Sequence, residues 1–141
     1  MSRDLTELVT GLVHEPTQVT EDGLDLTVAQ VYAVREPGDV DFGGEELEVA
    51  SIEPIEPAPR DPEDDYGWWT LHAGQYLIEH NEELVSDLER PVVVQTRPAL
   101  TERGTFHPTR HVTELGRFPL SVGGAGINLK ENARVSTVIE E

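Results

Sequence analysis

Short runs of β-branched and aromatic residues recur along this chain, each bounded by glycine, proline or asparagine. Six such runs lie at 25–34, 45–55, 68–80, 91–96, 118–122 and 133–140. Side chains of this kind favour extended backbone, and runs of this length between turn residues are typical of β-strands. The sequence therefore predicts an all-β domain, either a barrel or a double-sheet roll.

The first residues follow a helical period instead. Five apolar residues are spaced to share one face of a helix: Leu5, Leu8, Val9, Leu12 and Val13. Asp4 and Glu7 have the spacing of a capping box at its start. We therefore predict a short N-terminal helix within residues 1–16, ending before Pro16.

Residues 36–65 are acidic and rich in proline, and they contain 12 of the 28 acidic residues. Proline interrupts sheet pairing, so this segment is expected to be an exposed excursion broken by one edge hairpin. No internal repeat divides the chain, and 141 residues are an ordinary length for one domain. The sequence thus predicts a single domain spanning 1–141.

The charge of the chain is strongly negative. It has 28 acidic and 10 basic side chains, a formal net charge of −18, and Lys130 as its one lysine. Such a surface repels nucleic acid, so no nucleic-acid partner is expected. Because the acids are spread along the whole chain, they fit a cytoplasm of molar salt, where the Debye length falls to about 3 Å. An acidic protein of an ordinary cytoplasm is the alternative.

Composition also limits the kinds of site. The chain lacks cysteine, which excludes disulfides and zinc–thiolate sites, and its five histidines show no ligand spacing. No metal site made by the protein is expected. No run of 18 apolar residues occurs, and the N-terminus is too acidic for a signal peptide. We expect a cytoplasmic protein without a membrane partner.

Four segments, in this order, resemble the trimeric dUTPase and dCTP deaminase superfamily. They are GLDLTVAQVY (23–32), YGWWTLHAGQYLIEHNEELV (66–85), RPALTERG (97–104) and GINLKENARVSTVIEE (126–141). The resemblance implies a jelly-roll-like barrel of the dUTPase type that forms a homotrimer with its sites between subunits. It also implies a pyrimidine deoxynucleoside triphosphate as substrate, bound with Mg²⁺.

The segment 97–104 lies where that family has Arg-Ser-Ser-Leu-x-Arg-x-Gly. Arg97 matches the first arginine, whereas Pro98 and Ala99 stand where the family has phosphate-binding serines. Glu102 falls on the second basic position, and Arg103 follows one residue later. The resemblance therefore implies Arg97 and Arg103 as phosphate-binding residues. The alternative is a structural Arg97 that pairs across a trimer axis or with an acid such as Glu114.

The remaining family positions lie in RHVTELGRFPLSV, aligned on Gly116. His111 falls on the aspartate that activates water, Glu114 on the stacking aromatic residue, and Ser121 on the deaminase glutamate. His111 and Glu114 are chemically able to accept a proton, so they are the candidate catalytic residues. Asp25, in GLDL, is interpreted as a turn-capping residue.

Two functions remain open at this point. The first is a divergent enzyme of pyrimidine deoxynucleotide metabolism with weak or lost catalysis. The second is a non-catalytic trimer that serves assembly, for example as a decorating or scaffolding subunit of a viral particle in a salt-adapted host, which would place it in the virion. Four arginines spaced by six or seven residues would form either an anion site or a subunit seam if the barrel gathers them at one end: Arg97, Arg103, Arg110 and Arg117.

Overall fold

A computed structural model describes residues 4–139 of the chain. Its helices are α1 (Leu5–Leu8), α2 (Glu15–Gln18) and α3 (Pro98–Thr101). Its strands are β1 (Val9–Thr10), β2 (Leu24–Glu36), β3 (Ser51–Pro54), β4 (Trp68–Leu71), β5 (Gly74–His80), β6 (Glu83–Leu84), β7 (Val92–Thr96), β8 (Thr105–Phe106), β9 (Arg110–Val112), β10 (Phe118–Val122), β11 (Ile127–Lys130) and β12 (Arg134–Ile139). The predicted helical segment 1–16 begins with residues 1–3, and the predicted strand 133–140 ends at residue 140. These residues lie outside the described part of the chain.

One antiparallel sheet dominates the structure. Its strands follow the order β8-β10-β5-β2-β12-β7-β9, and β3 pairs with the end of β2 on the edge opposite β5. Two small pairs, β1 with β6 and β4 with β11, complete the strands of the described region. The sheet curls around a core, which confirms the prediction of an all-β barrel of the dUTPase type with a short N-terminal helix. Among residues 4–139, no helix has the length and apolar composition needed to span a membrane.

The core lies between the central strands. Strand β2 is buried at every position from Leu24 to Val28, so both of its faces are covered. Its apolar side chains pack with those of β5, β10 and β12, including Ile78, Phe118 and Val135. The residues between them, Asp25 and Thr27, are polar and equally buried. A buried polar group must find a partner, and those partners form the polar clusters described below.

The N-terminal helix is shorter than its apolar spacing predicts. It ends at Leu8 because Val9 and Thr10 pair with β6 and Val9 is buried there. Gly11 follows at φ +81°, and a Cβ atom added there would lie 3.3 Å from the carbonyl oxygen of Asn81. The side chain of Asp4 makes no capping hydrogen bond. Tertiary pairing thus overrides the local helical pattern.

The predicted strand 68–80 divides into two. The first half is β4, which pairs with β11, whereas the second half is β5, which pairs with β2 and β10. Gly74 has φ +148° at the junction, a conformation that other residues rarely adopt. Within the predicted run 45–55, only Ser51–Pro54 forms a strand.

The acidic excursion is anchored at its end. Ala58 and Trp68 exchange backbone hydrogen bonds, and the Nε1 of Trp69 donates to the carbonyl oxygen of Ile55 over 2.7 Å. The guanidinium of Arg60 lies 3.6 Å from the ring centroid of Trp68, and the ammonium of Lys130 lies 5.7 Å from it. Cations at these distances are attracted by the ring. The end of the excursion is therefore fixed against β4.

Candidate functional site

Strand β7 leads directly into the arginine-led segment 97–104. Arg97 has extended backbone and precedes α3, whose first residue, Pro98, fixes φ and lacks an N–H. Leu100 is buried and anchors the helix to the core. Gly104, at φ +79°, reverses the chain and accepts a hydrogen bond from the N–H of Gly123 over 3.0 Å. The segment is therefore an ordered turn at the end of a core strand.

Arg97 is held by a buried carboxylate. Its Nε lies 3.5 Å from Oδ2 of Asp25, and Nη1 of Arg134 lies 3.1 Å from the same oxygen. The hydroxyl of Thr137 donates to Oδ1 over 2.8 Å. We call these four residues the Asp25 cluster. Asp25 is therefore a strand residue that joins β2, β7 and β12, and its interpretation as a turn cap is wrong.

Arg103 has a different environment. It is exposed, and its Nη1 donates to the carbonyl oxygen of Ala99 over 2.8 Å, at the end of α3. Cations at this end of a helix are stabilised by the unpaired carbonyl groups. The bond uses one of five guanidinium N–H groups. The side chain of Arg103 is thus held by the helix just before it, whereas the side chain of Arg97 is held by Asp25, on a strand distant in sequence.

The other two arginines of the series also have separate partners. The guanidinium of Arg110 lies 4.7 Å from the ring centroid of Phe118. Arg117 lies 4.7 Å from the ring centroid of Tyr32 and 3.3 Å from a carboxylate oxygen of Glu79. The contacts described for residues 4–139 therefore give the four arginines no common partner.

A cleft borders the arginine-led segment. It has a volume of about 510 Å³ and is lined by Gln95, Thr96, Pro98, Thr101, Glu102, Phe106 and Thr109; we call it the α3 cleft. The hydroxyl of Thr96 donates to the carbonyl oxygen of His107 and accepts from its N–H. The half-exposed ring of Phe106 and the ring of Pro98 supply apolar surface. The cleft therefore combines the apolar surface of these two rings with the polar side chains of Gln95, Thr101, Glu102 and Thr109.

A second cleft, also of about 510 Å³, lies elsewhere on the barrel. Its lining includes four carboxylates, Glu79, Glu82, Glu83 and Glu114, together with His80; we call it the glutamate cleft. Glu82 is buried, and its oxygens accept from the amide of Gln18, the backbone N–H of Thr27 and the hydroxyl of Thr27. Its carboxylate therefore serves the fold.

The predicted catalytic residues do not meet in either cleft. Glu114 is exposed and lines the glutamate cleft, whereas exposed His111 lies on β9, opposite Val93, and lines neither cleft. The carboxylate that pairs with Arg97 is that of Asp25, not that of Glu114. Within residues 4–139, no group of three histidine, aspartate or glutamate side chains is arranged to hold a metal ion.

A hydrogen-bonded chain lies in the barrel, with His107 and Ser136 buried and His80 half-buried, and sequence reasoning missed it. The hydroxyl of Ser136 lies 2.8 Å from Nε2 of His80 and 2.7 Å from Nε2 of His107. Both imidazoles meet the ring of Phe118 edge-on, with centroids 5.1 and 5.0 Å away. We call these residues the His–Ser–His cluster. Its members come from β5, β10, β12 and the β8–β9 connection, so no local pattern could have indicated it.

The proton positions in this cluster follow from one carbonyl group. Nδ1 of His107 lies 2.8 Å from the carbonyl oxygen of Pro108, which only accepts, so Nδ1 carries the proton. Nε2 of neutral His107 therefore accepts from the hydroxyl of Ser136. The hydroxyl oxygen then accepts from Nε2–H of His80, and the buried Nδ1 of His80 is left without a partner.

Both histidines are neutral at pH 7. Burial, aided by the neighbouring imidazole of His107, lowers the pKa of His80 to about 3. Burial also lowers the pKa of His107, with a smaller contribution from Arg110, while the hydrogen bond to Pro108 opposes the shift. Removal from water disfavours the charged form of imidazole. The cluster is therefore a neutral one.

Comparison with known proteins gives two similar sequences. No protein-family model matches the chain. A protein of Methanosarcina mazei and one of Methanosarcina acetivorans, each named probable deoxyuridine 5'-triphosphate nucleotidohydrolase, are 28% identical to it over 138 residues. Each match covers 94% of this chain and 77% of the relative. The similarity thus extends over nearly the whole chain and supports a dUTPase-like family.

Proposed function

We propose that this chain is a divergent protein of the dUTPase and dCTP deaminase superfamily that binds pyrimidine deoxynucleoside triphosphates weakly. Its turnover of dUTP or dCTP is slow or lost. The barrel and the two similar proteins named as dUTP nucleotidohydrolases support the family. The position of the segment 97–104, at the end of a core strand, supports Arg97 and Arg103 as the phosphate-binding residues.

The observation that carries weak binding is the environment of Arg97. Its guanidinium contacts the carboxylate of Asp25 over 3.5 Å and the backbone carbonyl oxygen of Arg134 over 3.4 Å, so a triphosphate would have to share it with a buried carboxylate. The adjacent residues, Pro98 and Ala99, supply no hydroxyl, and Pro98 supplies no N–H. Charge-assisted hydrogen bonds from guanidinium are worth about 1.5–3 kcal/mol each. Two arginines therefore support a dissociation constant in the micromolar to millimolar range.

Slow turnover follows from the positions of the candidate bases relative to the proposed phosphate site. A general base acts only within hydrogen-bond distance of the water that it activates. His111 and Glu114 remain the candidates for any residual turnover, yet neither lines the α3 cleft, which borders the segment 97–104. We assign them no more than a weak catalytic effect.

Magnesium fits this proposal only as part of the substrate complex. The described residues supply no donor set for the ion, so the phosphate oxygens would have to bring it. Bound in that way, Mg²⁺ would neutralise part of the triphosphate charge. No catalytic step is assigned to it.

The exposed apolar surface favours a second candidate, a trimer that serves assembly. Val40, Phe42 and Val49 are 89, 108 and 91% exposed. Exposed apolar patches mark contact surfaces in soluble proteins. A homotrimer fits both candidates, the first in the cytoplasm and the second in the cytoplasm or in a virion of a salt-rich host.

Incubation with dUTP and with dCTP, each with Mg²⁺ in molar salt, tests the first proposal. We expect weak calorimetric binding and little diphosphate release or deamination. Replacing Pro98 and Ala99 together by serine should tighten binding, because two hydroxyls return beside Arg97, while turnover stays low. Fast turnover by the unmodified chain that disappears in Arg97→Lys, with an unchanged melting temperature, would contradict the proposal.

Residual turnover has its own test. Glu114→Gln and His111→Gln should each lower it by less than the roughly hundredfold effect of a positioned general base. The matched control is Glu89→Gln, which removes an exposed carboxylate from the connection between β6 and β7 that lines neither cleft. A loss of a thousandfold in either variant would show that the base is positioned after all.

A further inference from the structure

The walls of the α3 cleft are fixed by contacts within the fold. Strand β7 supplies one wall, and the hydroxyl of Thr96 holds the β8–β9 connection to it through two hydrogen bonds with the backbone of His107, of 2.8 and 3.0 Å. Leu100 is buried and attaches α3, the second wall, to the core. The N–H of Gly123 donates to the carbonyl oxygen of Gly104 over 3.0 Å, which fixes the chain between α3 and β8. The cleft is therefore pre-formed, as small-molecule sites usually are.

The cleft has polar side chains that are available to a ligand. None of them has a hydrogen bond or ion pair with another described residue, and they belong to Gln95, Thr101, Glu102 and Thr109. The amide and the hydroxyls both donate and accept, whereas an ionised carboxylate only accepts. A ligand that presents an N–H group to Glu102 is therefore favoured.

An aromatic ring in the cleft is exposed enough to stack on a base. Phe106 is 53% exposed, and Pro98 lines the cleft with it. Bases of every kind stack on such rings, because each base has a π face. The volume of about 510 Å³ lies within the roughly 300–1,000 Å³ of small-molecule sites. Phe106 therefore supplies affinity for a base, and the polar side chains must supply the discrimination between bases.

The charge of the lining decides which end of a nucleotide enters the cleft. Among the described residues, the lining contains one carboxylate, that of Glu102, and no lysine or arginine. A triphosphate placed there would be repelled by the carboxylate, whereas an uncharged base would not. Arg97 and Arg103 lie in the segment that borders the cleft but are not part of its lining. The base therefore enters the cleft, and the phosphates stay at the arginines.

We propose that the α3 cleft holds the base of the nucleotide and that Glu102 selects a pyrimidine with an exocyclic amine. The amine of cytosine donates to a carboxylate, whereas uracil has a carbonyl oxygen at the same position, which a carboxylate repels. Phe106 stacks on the ring of the base. This inference rests on the proposed function for the position of the phosphates, and it adds the class of base and the residue that recognises it.

Nucleosides without phosphate test the cleft by itself. In molar salt, ligand-observed NMR should show deoxycytidine binding at least about tenfold more tightly than deoxyuridine. Glu102→Gln keeps the size of the side chain but adds an amide that donates to the oxygen of uracil, so the ratio of the two affinities should fall to about one. Glu89→Gln, at an exposed site that lines neither cleft, should keep the preference.

Three results of this experiment would overturn the proposal. They are equal binding of the two nucleosides by the unmodified chain, a ratio that Glu102→Gln leaves unchanged, and the failure of deoxycytidine to bind. Each result would mean that Glu102 does not recognise an amine in the cleft.

The stacking ring has a separate test. Phe106→Leu keeps an apolar side chain without the aromatic ring, so it should weaken the binding of both nucleosides by about fivefold or more and leave their ratio unchanged. The control is Tyr66→Leu, which removes an aromatic ring that is 50% exposed and lies outside the cleft. Equal affinities in the Phe106→Leu variant and the unmodified chain would place the base elsewhere and overturn the proposal.

Calorimetry with dCTP and dUTP separates this inference from the proposed function. A preference for deoxycytidine that depends on Glu102, with triphosphates that bind no more tightly than the nucleosides, would refute phosphate binding at Arg97 and Arg103 alone. Triphosphate binding that is lost in Arg97→Lys but shows no preference between the two bases would refute this inference alone.

Discussion

Ser136 and Thr137 are neighbours on β12, and they belong to polar clusters of opposite character. Ser136 lies in the barrel interior between two neutral imidazoles, whereas Thr137 donates to Asp25, which also contacts two guanidinium groups. Successive residues of a strand face opposite sides of a sheet. One strand thus joins a neutral cluster to an ionic one. The comparison shows that an ionisable group can be buried in two ways: it can be neutral, or its charge can be paired with an opposite charge.

The largest expected effect comes from removing the central charge of the ionic cluster. Asp25→Asn leaves Arg97 and Arg134 beside a neutral amide, and breaking a buried ion pair costs about 3–5 kcal/mol. Because both arginines are partly exposed, we expect the lower end, about 3 kcal/mol. Denaturant unfolding in molar salt measures it. Asp22→Asn, at an exposed site nearby, is the control, and equal midpoints for the two variants would contradict the ionic description.

The neutral cluster should respond to pH. The pKa of His80 is lowered from 6.5 to about 3, so the unfolded chain binds more protons between these values. The free energy of unfolding therefore falls as pH decreases through this window, by up to about 1.4 kcal/mol per pH unit for each such histidine. Between pH 6.5 and 4.5 we expect a loss of about 2–3 kcal/mol from His80.

Melting experiments on His80→Phe separate this effect from the titration of carboxylates. The variant should show a flatter dependence of stability on pH between 6.5 and 4.5, whatever its absolute stability. His72→Gln, at an exposed histidine, should keep the slope of the unmodified protein. If both variants keep it, His80 is not neutral in the folded protein.

A smaller effect is expected from the edge of the ionic cluster. Arg97→Ala removes a guanidinium whose side chain is 29% exposed, and Arg134 still pairs with Asp25. We expect a loss of about 1 kcal/mol, below the roughly 1.5–3 kcal/mol of a fully shielded charged hydrogen bond. Arg103→Ala, on the exposed helix end, should change stability by less than about 0.5 kcal/mol. Thermal melts of both variants compare them, and the reverse order would assign the structural role to Arg103.

The smallest expected effect is the change with salt concentration in the stability cost of a substitution, which differs between the two clusters. Lowering the ionic strength from molar to tens of millimolar should destabilise every variant, because the Debye length grows to tens of ångströms and the net charge of −18 repels itself. Against that shared shift, the cost of Arg97→Ala should change by about 0.5 kcal/mol at most, and the cost of Ser136→Ala should not change. Melting curves across a salt series measure both. If the stability of the protein did not depend on salt concentration, its excess of acidic residues would not be an adaptation of the folded state.

The sequence predicts the central strands well because their β-branched runs carry enough local preference. The run 118–122 coincides with β10, and 91–96 with β7 to within one residue. Short strands such as Thr105–Phe106 and Arg110–Val112 escaped prediction because they depend on pairing with distant strands. The same dependence shortened the N-terminal helix.

Prediction of the candidate site has the same limit. The segment 97–104 is recognisable as a motif, and it lies at a strand end as expected. The interpretation of Arg97 changed, because its guanidinium pairs with Asp25, which lies 72 positions away in the sequence. The His–Ser–His cluster joins residues 56 and 29 positions apart, so spacing along the chain holds no trace of it.

The two adjacent tryptophans give the protein two separate fluorescent reporters. Trp69 is buried and bonded to Ile55, whereas the partly exposed ring of Trp68 lies near Arg60 and Lys130. Iodide, an anionic quencher, is repelled by most of this acidic surface but attracted by those two cations. Its quenching should therefore report on Trp68 and the anchored end of the excursion. Emission that resists iodide should report on Trp69 and the core, so detachment of the excursion becomes visible apart from global unfolding.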